Sequence, residues 1–572
     1  AFDDATLTWL ASPLLAGALT MLSALFVARH AHLHRAAYPQ TSQLLQTLIG
    51  LGLLCWAGTL GAHFDHFAPA DLQAAAFMAQ AYSRLQQRPG VCMAASGPAT
   101  INLTTGLANA LIDCCPVVAL GGASPVLGYG KQVFQEIDQM DIMSGCVKYA
   151  ARVHDARRIP EMLNTAMQRA MSGKPGPVYL DLPGDVLYQM VDEDKIDWSM
   201  SGRPMLTARQ PAPDAQIAEL VAALNKAERP VLLSGSGVIW SQAWEELAAL
   251  VDATGIPFYT TPQGRGVVPE DHACCFPAAR STAFRDADLI VVVGTRLNYI
   301  VAHLAAPRFS ADATIARIDV DVDEIAESPR KLDIPIVADA KTALAQLNKA
   351  IDGRIDPARY DHWRSTLAEK EAEKRAGPGS NSLSDAVPIH PLRLCEEVKN
   401  FMDRDAILVV DGQEILNYGR QSMPTYAPGH RLNSGPFGTM GVGLPFGLGA
   451  KVAKPDTQVI VVHGDGSFGL NAMEMDTAVR HKIPVLVVIS LNGGWTADPD
   501  QVKPGRDLGY TRYDQMAEAL GCYSEYVEEP GEIRAALDRA QAKVNDGMVA
   551  VVNIKTDWAA QAVTQRFATY ST

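Results

Sequence analysis

No two of the nine cysteines stand in a Cys-x-x-Cys pair, which removes the usual zinc-ligand spacing and a redox dithiol. Their odd number and apolar neighbours point to reduced, buried thiols and a cytoplasmic protein. Basic residues are in the minority, with 49 Lys and Arg against 63 Asp and Glu and a net charge of −14. Nucleic acid needs a concentrated basic face, so it is excluded as the main partner. A local basic pocket for a phosphorylated substrate is not excluded. Short-period repeats and low-complexity tracts are also missing. What is present is apolar, 48% hydrophobic against 20% charged, enough to build a core. The 572 residues correspond to about three domains at roughly 100–200 residues each.

Residues 1–70 differ from the rest. Ala5 to Ala28 carry no charge, and about 20 apolar residues suffice to cross a bilayer. A second apolar run, Leu48–Ala62, is shorter and glycine-rich, so membrane association of residues 5–62 is one reading. Between the runs, His30-Ala31-His32-Leu33-His34 reads as a polar loop rather than a metal site, and no basic n-region marks a signal peptide. From Gln73 the texture becomes alternating α/β. A helix is expected over Ala74–Leu85 and strands at 90–95, 117–120, 177–183, 231–234, 289–293, 316–320, 407–410, 459–462 and 485–490. Short apolar strands alternating with helices imply parallel sheets covered on both faces. The fold class expected is α/β, with three doubly wound domains at 71–195, 205–350 and 389–560, a polar linker at 351–388 and a tail at 561–572.

Five segments carry chemistry. His463-Gly464-Asp465-Gly466-Ser467 ends one apolar strand, and Asn492, 27 residues after Asp465, follows another. Ligands of doubly wound sheets bind beyond such strand ends. Asp465 and Asn492 offer hard oxygen ligands suited to Mg²⁺ shared with phosphate. Gly464 and Gly466 let the backbone approach a diphosphate, and a helix beginning near Ser467 would turn its N–H groups toward it. Asn433 to Pro445 is a glycine-rich strand-to-helix segment with Met440 at its centre. Asp411-Gly412-Gln413-Glu414 follows strand 407–410, and Ser96-Gly97-Pro98-Ala99-Thr100-Ile101-Asn102 forms a Gly/Pro turn.

Together these loops resemble the thiamine-diphosphate (ThDP) decarboxylase, lyase and carboligase superfamily, over a stretch running from about Gln73 to Thr556. The resemblance implies ThDP and Mg²⁺ as cofactors. Asp465, Asn492 and the carbonyl of Gly494 would hold the metal, with Leu491 standing where the family has a first Asn. Gly412, Gln413, Glu414, Gly438, Gly464, Gly466 and Ser467 would meet the diphosphate side, Met440 would bend the cofactor, and Pro98 and Asn102 would meet its pyrimidine. It also implies a homodimer or homotetramer with active sites between subunits.

One departure bears on catalysis. The family's glutamate, which relays a proton to the pyrimidine, aligns with Leu72, and leucine moves no proton. Glyoxylate carboligases, with a valine there, show that the loss need not abolish activity. The expected first strand of that domain is also missing from residues 1–70. A membrane hairpin, a divergent segment and a frameshift or chimera remain alternatives.

Within the superfamily, Asn492-Gly493-Gly494-Trp495, the stretch Pro504–Asp514, and Gly294-Thr295-Arg296-Leu297-Asn298 before Asp319 resemble the branch of 2-hydroxyacyl-CoA lyases and oxalyl-CoA decarboxylases. In some members the equivalents of Arg296 and Asp319 hold ADP in the middle domain. Phe134-Gln135 and Thr496 depart from the oxalyl-CoA decarboxylase pattern, which favours a lyase. Such an enzyme cleaves a 2-hydroxyacyl-CoA to formyl-CoA and an aldehyde or ketone, reversibly. Gln135 would face the reacting carbon, with Arg420 and Lys503 as phosphate partners. Acetolactate-synthase-like carboligation, oxalyl-CoA-type decarboxylation and a catalytically impaired regulator are the alternatives. Gly235-Ser236-Gly237 alone is a weak dinucleotide signal.

Overall fold

Alternate residues of the apolar strands enter different cores, which is the period-two geometry of a sheet covered on both faces. In the strand Leu289–Val293, Leu289, Val291 and Val293 join one core while Ile290 and Val292 join the opposite one. Val459 and Val461 likewise face away from Ile460 and Val462. The computed structural model describes residues 72–200, 208–376, 378–495, 505 and 507–562. The N-terminal segment, Thr496, Lys503 and Arg506 therefore lie outside the described residues.

Three parallel sheets result. The first holds β1 (Gly90–Ala94), β2 (Val117–Ala123), β3 (Tyr149–Arg152) and β4 (Val178–Pro183) in the order β1-β2-β4-β3. The second holds β5 (Pro230–Ser234), β6 (Phe258–Thr260), β7 (Leu289–Val293), β8 (Thr314–Asp319) and β9 (Ile334–Val337) in the order β6-β5-β7-β8-β9. The third holds β10 (Ile407–Asp411), β11 (Arg431–Leu432), β12 (Val459–Gly464), β13 (Leu486–Leu491), β14 (Tyr523–Val527) and β15 (Ala550–Lys555) in the order β11-β10-β12-β13-β15-β14. Order reversals on either side of β5 and β10 are the mark of doubly wound folds.

Two local expectations gain detail. The turn expected at 96–102 is already helical from Pro98 to Asn102, because proline at the first helical position fits a helix start. The polar stretch after residue 351, whose charge run Glu369–Arg375 reads as a solvated helix or a linker, contains the helix Asp361–Ala376, whose Trp363 and Leu367 are buried in the core of the second sheet. Most of its charged residues are exposed, while Glu371 turns inward to accept the N–H of Ala279 at 2.9 Å.

The helix Leu72–Gln86 joins the first and third sheets. Alanine-rich and free of glycine and proline, it ends where Gln87 turns left-handed (φ 53°) ahead of Pro89. It packs against the helix Gly443–Ala453, with Phe77 edge-on to Phe446 at 6.0 Å. Gly449 allows this contact, since a Cβ there would lie 2.3 Å from the carbonyl oxygen of Met78. Beside that seam all three units meet at Asp113. Its carboxylate accepts from Arg84 (2.7 Å) and Gln80 (3.1 Å) of the first unit and Gln263 (2.6 Å) of the second. Gln263 also reaches the carbonyl of Asn433 in the third unit.

Candidate active site

The loops after β10, β12 and β13 border one pocket at the carboxyl ends of three adjacent strands. Its lining includes Gly412, Gln413 and Glu414 from the first loop. Gly464, Asp465, Gly466 and Ser467 come from the second, and Asn492, Gly494 and Trp495 from the third. Met440 enters from the segment before the helix Gly443–Ala453. Ten residues expected from sequence thus share one cavity. Ile415, Ser490, Trp495, Pro391 and Ala560 line it without having been singled out for it. They are apolar or small residues, and only Trp495 belongs to a motif, as the last residue of Asn492-Gly493-Gly494-Trp495.

Asp465 is 2% exposed. Its Oδ1 accepts from the N–H of Gly466 (2.7 Å), and its Oδ2 from those of Gly493 (2.6 Å) and Gly494 (3.1 Å). Burial lifts its carboxyl to about 6, and these amides oppose the shift. One end of the Asn492 carboxamide lies 3.1 Å from Oδ1 of Asp465 and 3.2 Å from the carbonyl oxygen of Gly494, where its nitrogen donates to both. With the carboxamide oxygen turned there instead, three oxygens meet with no hydrogen among them. They repel unless a cation lies among them or the carboxamide rotates to present its nitrogen. Octahedral Mg²⁺, with bonds of about 2.0–2.1 Å, sets neighbouring oxygens about 3 Å apart, so the oxygen arrangement fits that ion.

The walls are built for close approach. Gly412 takes φ 115°, and a Cβ there would lie 3.1 Å from the nitrogen of Gly464. A Cβ on Gly466 would come within 3.0 Å of the Trp495 indole. Ser467 donates to the carbonyl of Gly464 (3.0 Å) and lies 3.1 Å from Nδ1 of His463. Burial pushes His463 down to about 3, so its ring is neutral. The helix expected near Ser467 spans Asp465–Leu470. Glu414 lines the pocket, and its carboxylate accepts the N–H of Ala562 at 2.8 Å, drawing the end of the described chain across the opening.

The remaining candidates are not in this pocket. Gly438 is exposed, in a left-handed turn (φ 72°). Pro98 and Asn102 are exposed at the carboxyl end of β1, and Leu72 is half-buried at the start of its helix. Gln135 sits beside Pro98's loop, its Oε1 accepting from Ser96 Oγ at 2.8 Å. Sequence reasoning missed what fixes that loop, which is Gln139. This 2% exposed residue accepts from the N–H of Gly97 (2.6 Å) and donates to Asp181 (2.8 Å), Tyr179 (3.0 Å) and the carbonyl of Gly122 (2.9 Å).

Arg420 is at the interface of the second and third units. No described carboxylate pairs with it or with Arg280, and buried Nε and Nη2 of Arg280 and Nε of Arg420 lack hydrogen-bond partners. Arg280, over the ring of Phe284, is lowered to about 10 by burial, with Arg308, Arg265 and Arg420 repelling its charge. In the second unit, Gly235 and Gly237 pack against Thr295 and Gly294. Asp319 accepts from Asp321 N–H (3.1 Å) and faces Arg317 at 3.4 Å. Among the described residues, no helix is long and apolar enough to cross a membrane.

Three family models match the chain. They are the N-terminal TPP-binding domain (residues 48–142), the central domain (217–347) and the C-terminal TPP-binding domain (416–554) of the thiamine pyrophosphate enzymes. A 2-hydroxyacyl-CoA lyase of Arabidopsis thaliana is 33% identical, covering 87% of this chain and 90% of the relative. The mouse 2-hydroxyacyl-CoA lyase 1 is 32% identical over 82% and 84%. A probable acetolactate synthase of Mycobacterium bovis is 33% identical over 85% and 87%. The chain belongs to the thiamine pyrophosphate (ThDP) enzyme family.

Proposed function

We propose that this chain is a Mg²⁺-dependent lyase that cleaves a 2-hydroxyacyl-CoA to formyl-CoA and an aldehyde or ketone, and runs the reverse condensation. Asp465, Asn492 and the Gly494 carbonyl hold the metal, and Gly412, Gln413, Glu414, Gly464, Gly466 and Ser467 surround the diphosphate. Met440 bends the cofactor. When bound, ThDP supplies a carbon nucleophile for a carbonyl. The protein's share is to orient the acyl group, exclude water and stabilise developing charge. Pro98, Asn102, Gln135 and Leu72 complete the site from a second copy, in a homodimer or homotetramer. The exposure of Pro98 and Asn102, and the absence of all four residues from the pocket of one chain, support that arrangement. We place the enzyme in the cytoplasm.

The observation that carries the choice of substrate is the pair Arg280 and Arg420. Buried guanidinium donors without partners are costly and suit a ligand rich in phosphate, such as CoA. Acetolactate synthesis involves no such ligand, although an acetolactate synthase is equally similar at 33% identity. The deciding assay supplies ThDP and Mg²⁺ with either a 2-hydroxyacyl-CoA or pyruvate. Formyl-CoA release supports the lyase, and acetolactate as the main product overturns it. ADP binding at Arg296 and Asp319 belongs to the same reading and is tested by calorimetric titration with ADP.

A further inference from the structure

Asp411 ends β10 with its side chain 2% exposed. No cation among the described residues pairs with it. The nearest ionisable side chain is the neutral His463, at 3.8 Å. Its carboxylate is bound by backbone instead. Oδ1 accepts the N–H of Gly412 at 2.7 Å, and Oδ2 that of Gly443 at 2.9 Å. The amides of Gly441 and Val442 also turn to it. Successive amides converging on one anion form a nest, and here the anion belongs to the protein. The three amides gathered this way immediately follow Met440.

That segment has little freedom to settle elsewhere. Gly441 takes φ 85°, and a Cβ there would lie 2.9 Å from that of Leu470. A Cβ on Gly443 would lie 2.4 Å from Cε1 of His463. The same carboxylate caps the start of the helix Gly443–Ala453 from a separate strand, and holds the Gly412 turn on the pocket's other wall. An apolar residue would fill this place without burying a charge, so the acid's presence calls for a task that only an acceptor of several N–H groups performs.

We propose that Asp411 is a positioning residue that sets the height and direction of Met440 in the cofactor pocket by clamping the amides of Gly441, Val442 and Gly443 to the end of β10. The proposal rests on Met440 as the residue that bends ThDP, and is independent of the carbonyl substrate.

The test compares affinities for ThDP and for inorganic diphosphate, both with Mg²⁺, in the full chain and its D411N, M440A and double variants. Asn keeps the size of Asp but turns an NH₂ group toward N–H donors. D411N and M440A should each weaken ThDP binding at least ~10-fold while diphosphate affinity changes less than ~3-fold, and the double variant should bind ThDP within ~3-fold of M440A. Additive losses, an equal loss of diphosphate affinity, or wild-type ThDP binding by D411N would overturn the proposal. Wild-type ThDP binding by M440A would instead remove the wedge reading, and the proposal with it. Hydrogen exchange on the unsubstituted protein gives a second readout that survives a D411N chain that does not fold. The amides of Gly441 to Gly443 should exchange at least ~100-fold more slowly than those of Gly438 and Thr439. Equal rates overturn the clamp.

Discussion

The end of the Asn492 carboxamide that faces Oδ1 of Asp465 across 3.1 Å donates to it as nitrogen and repels it as oxygen. A cation removes that repulsion, and so does rotation of the carboxamide. We therefore expect the side chain to present oxygen when Mg²⁺ is bound and nitrogen when it is not. Asp465→Asn and Asn492→Leu should each weaken metal-dependent ThDP binding by ~10²-fold or more, exceeding the 10–100-fold typical of losing an outer partner. Calorimetric titration with and without a chelator checks this. Unchanged affinity in either variant would remove that residue from the metal site.

Arg84 and Asp113 are 3% and 1% exposed and bonded at 2.7 Å where the three units meet. Asp113→Ala leaves a buried guanidinium with one fewer acceptor and should cost about 3–5 kcal/mol. Thermal unfolding should show the loss as a lower first transition. Replacing both residues with apolar ones of similar volume should restore part of it. A lone Asp113→Ala chain as stable as the unsubstituted protein would contradict this.

Parallel strands buried on both faces advertise themselves as unbroken apolar runs, so Leu289–Val293 was legible to the residue. Edge and mixed strands were not. Ile334–Val337 contains Pro335, tolerated because β9 is an edge strand. Ala550–Lys555 hides the polar Asn553, whose amide bonds Asp514 inside the core. In the site, Asp465 and Asn492 were legible because each follows an apolar strand beside glycine, and Met440 because it stands in a glycine-rich segment leading into a helix. Gln139 and Arg280 carry no such signal, and Asp411, though it ends an apolar strand before Gly412, shows nothing in sequence of its hold on Gly443. Their roles depend on contacts from elements distant in sequence, as Gln139 Nε2 to Asp181 shows.

Gln139 should matter more than its distance from the diphosphate pocket suggests. Gln139→Leu leaves the Gly97 N–H and part of the Asp181 environment without partners, at about 1–3 kcal/mol for each buried group left unsatisfied. Turnover should fall while affinity for Mg²⁺ and diphosphate stays unchanged, because the latter depends on the third sheet alone. A loss of diphosphate affinity in this variant would show that the role given to Gln139 is mistaken.

Arg280→Met and Arg420→Met separate substrate binding from stability. Both remove a buried charge that no carboxylate balances, so thermal stability should hold or rise. KM for the acyl-CoA should increase at least ~10-fold, a loss of ~1.4 kcal/mol or more, with ThDP affinity unaltered. A marked fall in stability with unchanged KM would assign these arginines to the fold.

The most direct test is a calorimetric titration of the purified chain with ThDP in the presence and absence of Mg²⁺, followed on the same sample by an assay for formyl-CoA from a 2-hydroxyacyl-CoA. The account predicts metal-dependent ThDP binding and formyl-CoA release, with Leu72 in place. A chain that binds no ThDP with Mg²⁺ present would contradict the pocket assignment, and one that binds ThDP yet releases no formyl-CoA would contradict the lyase.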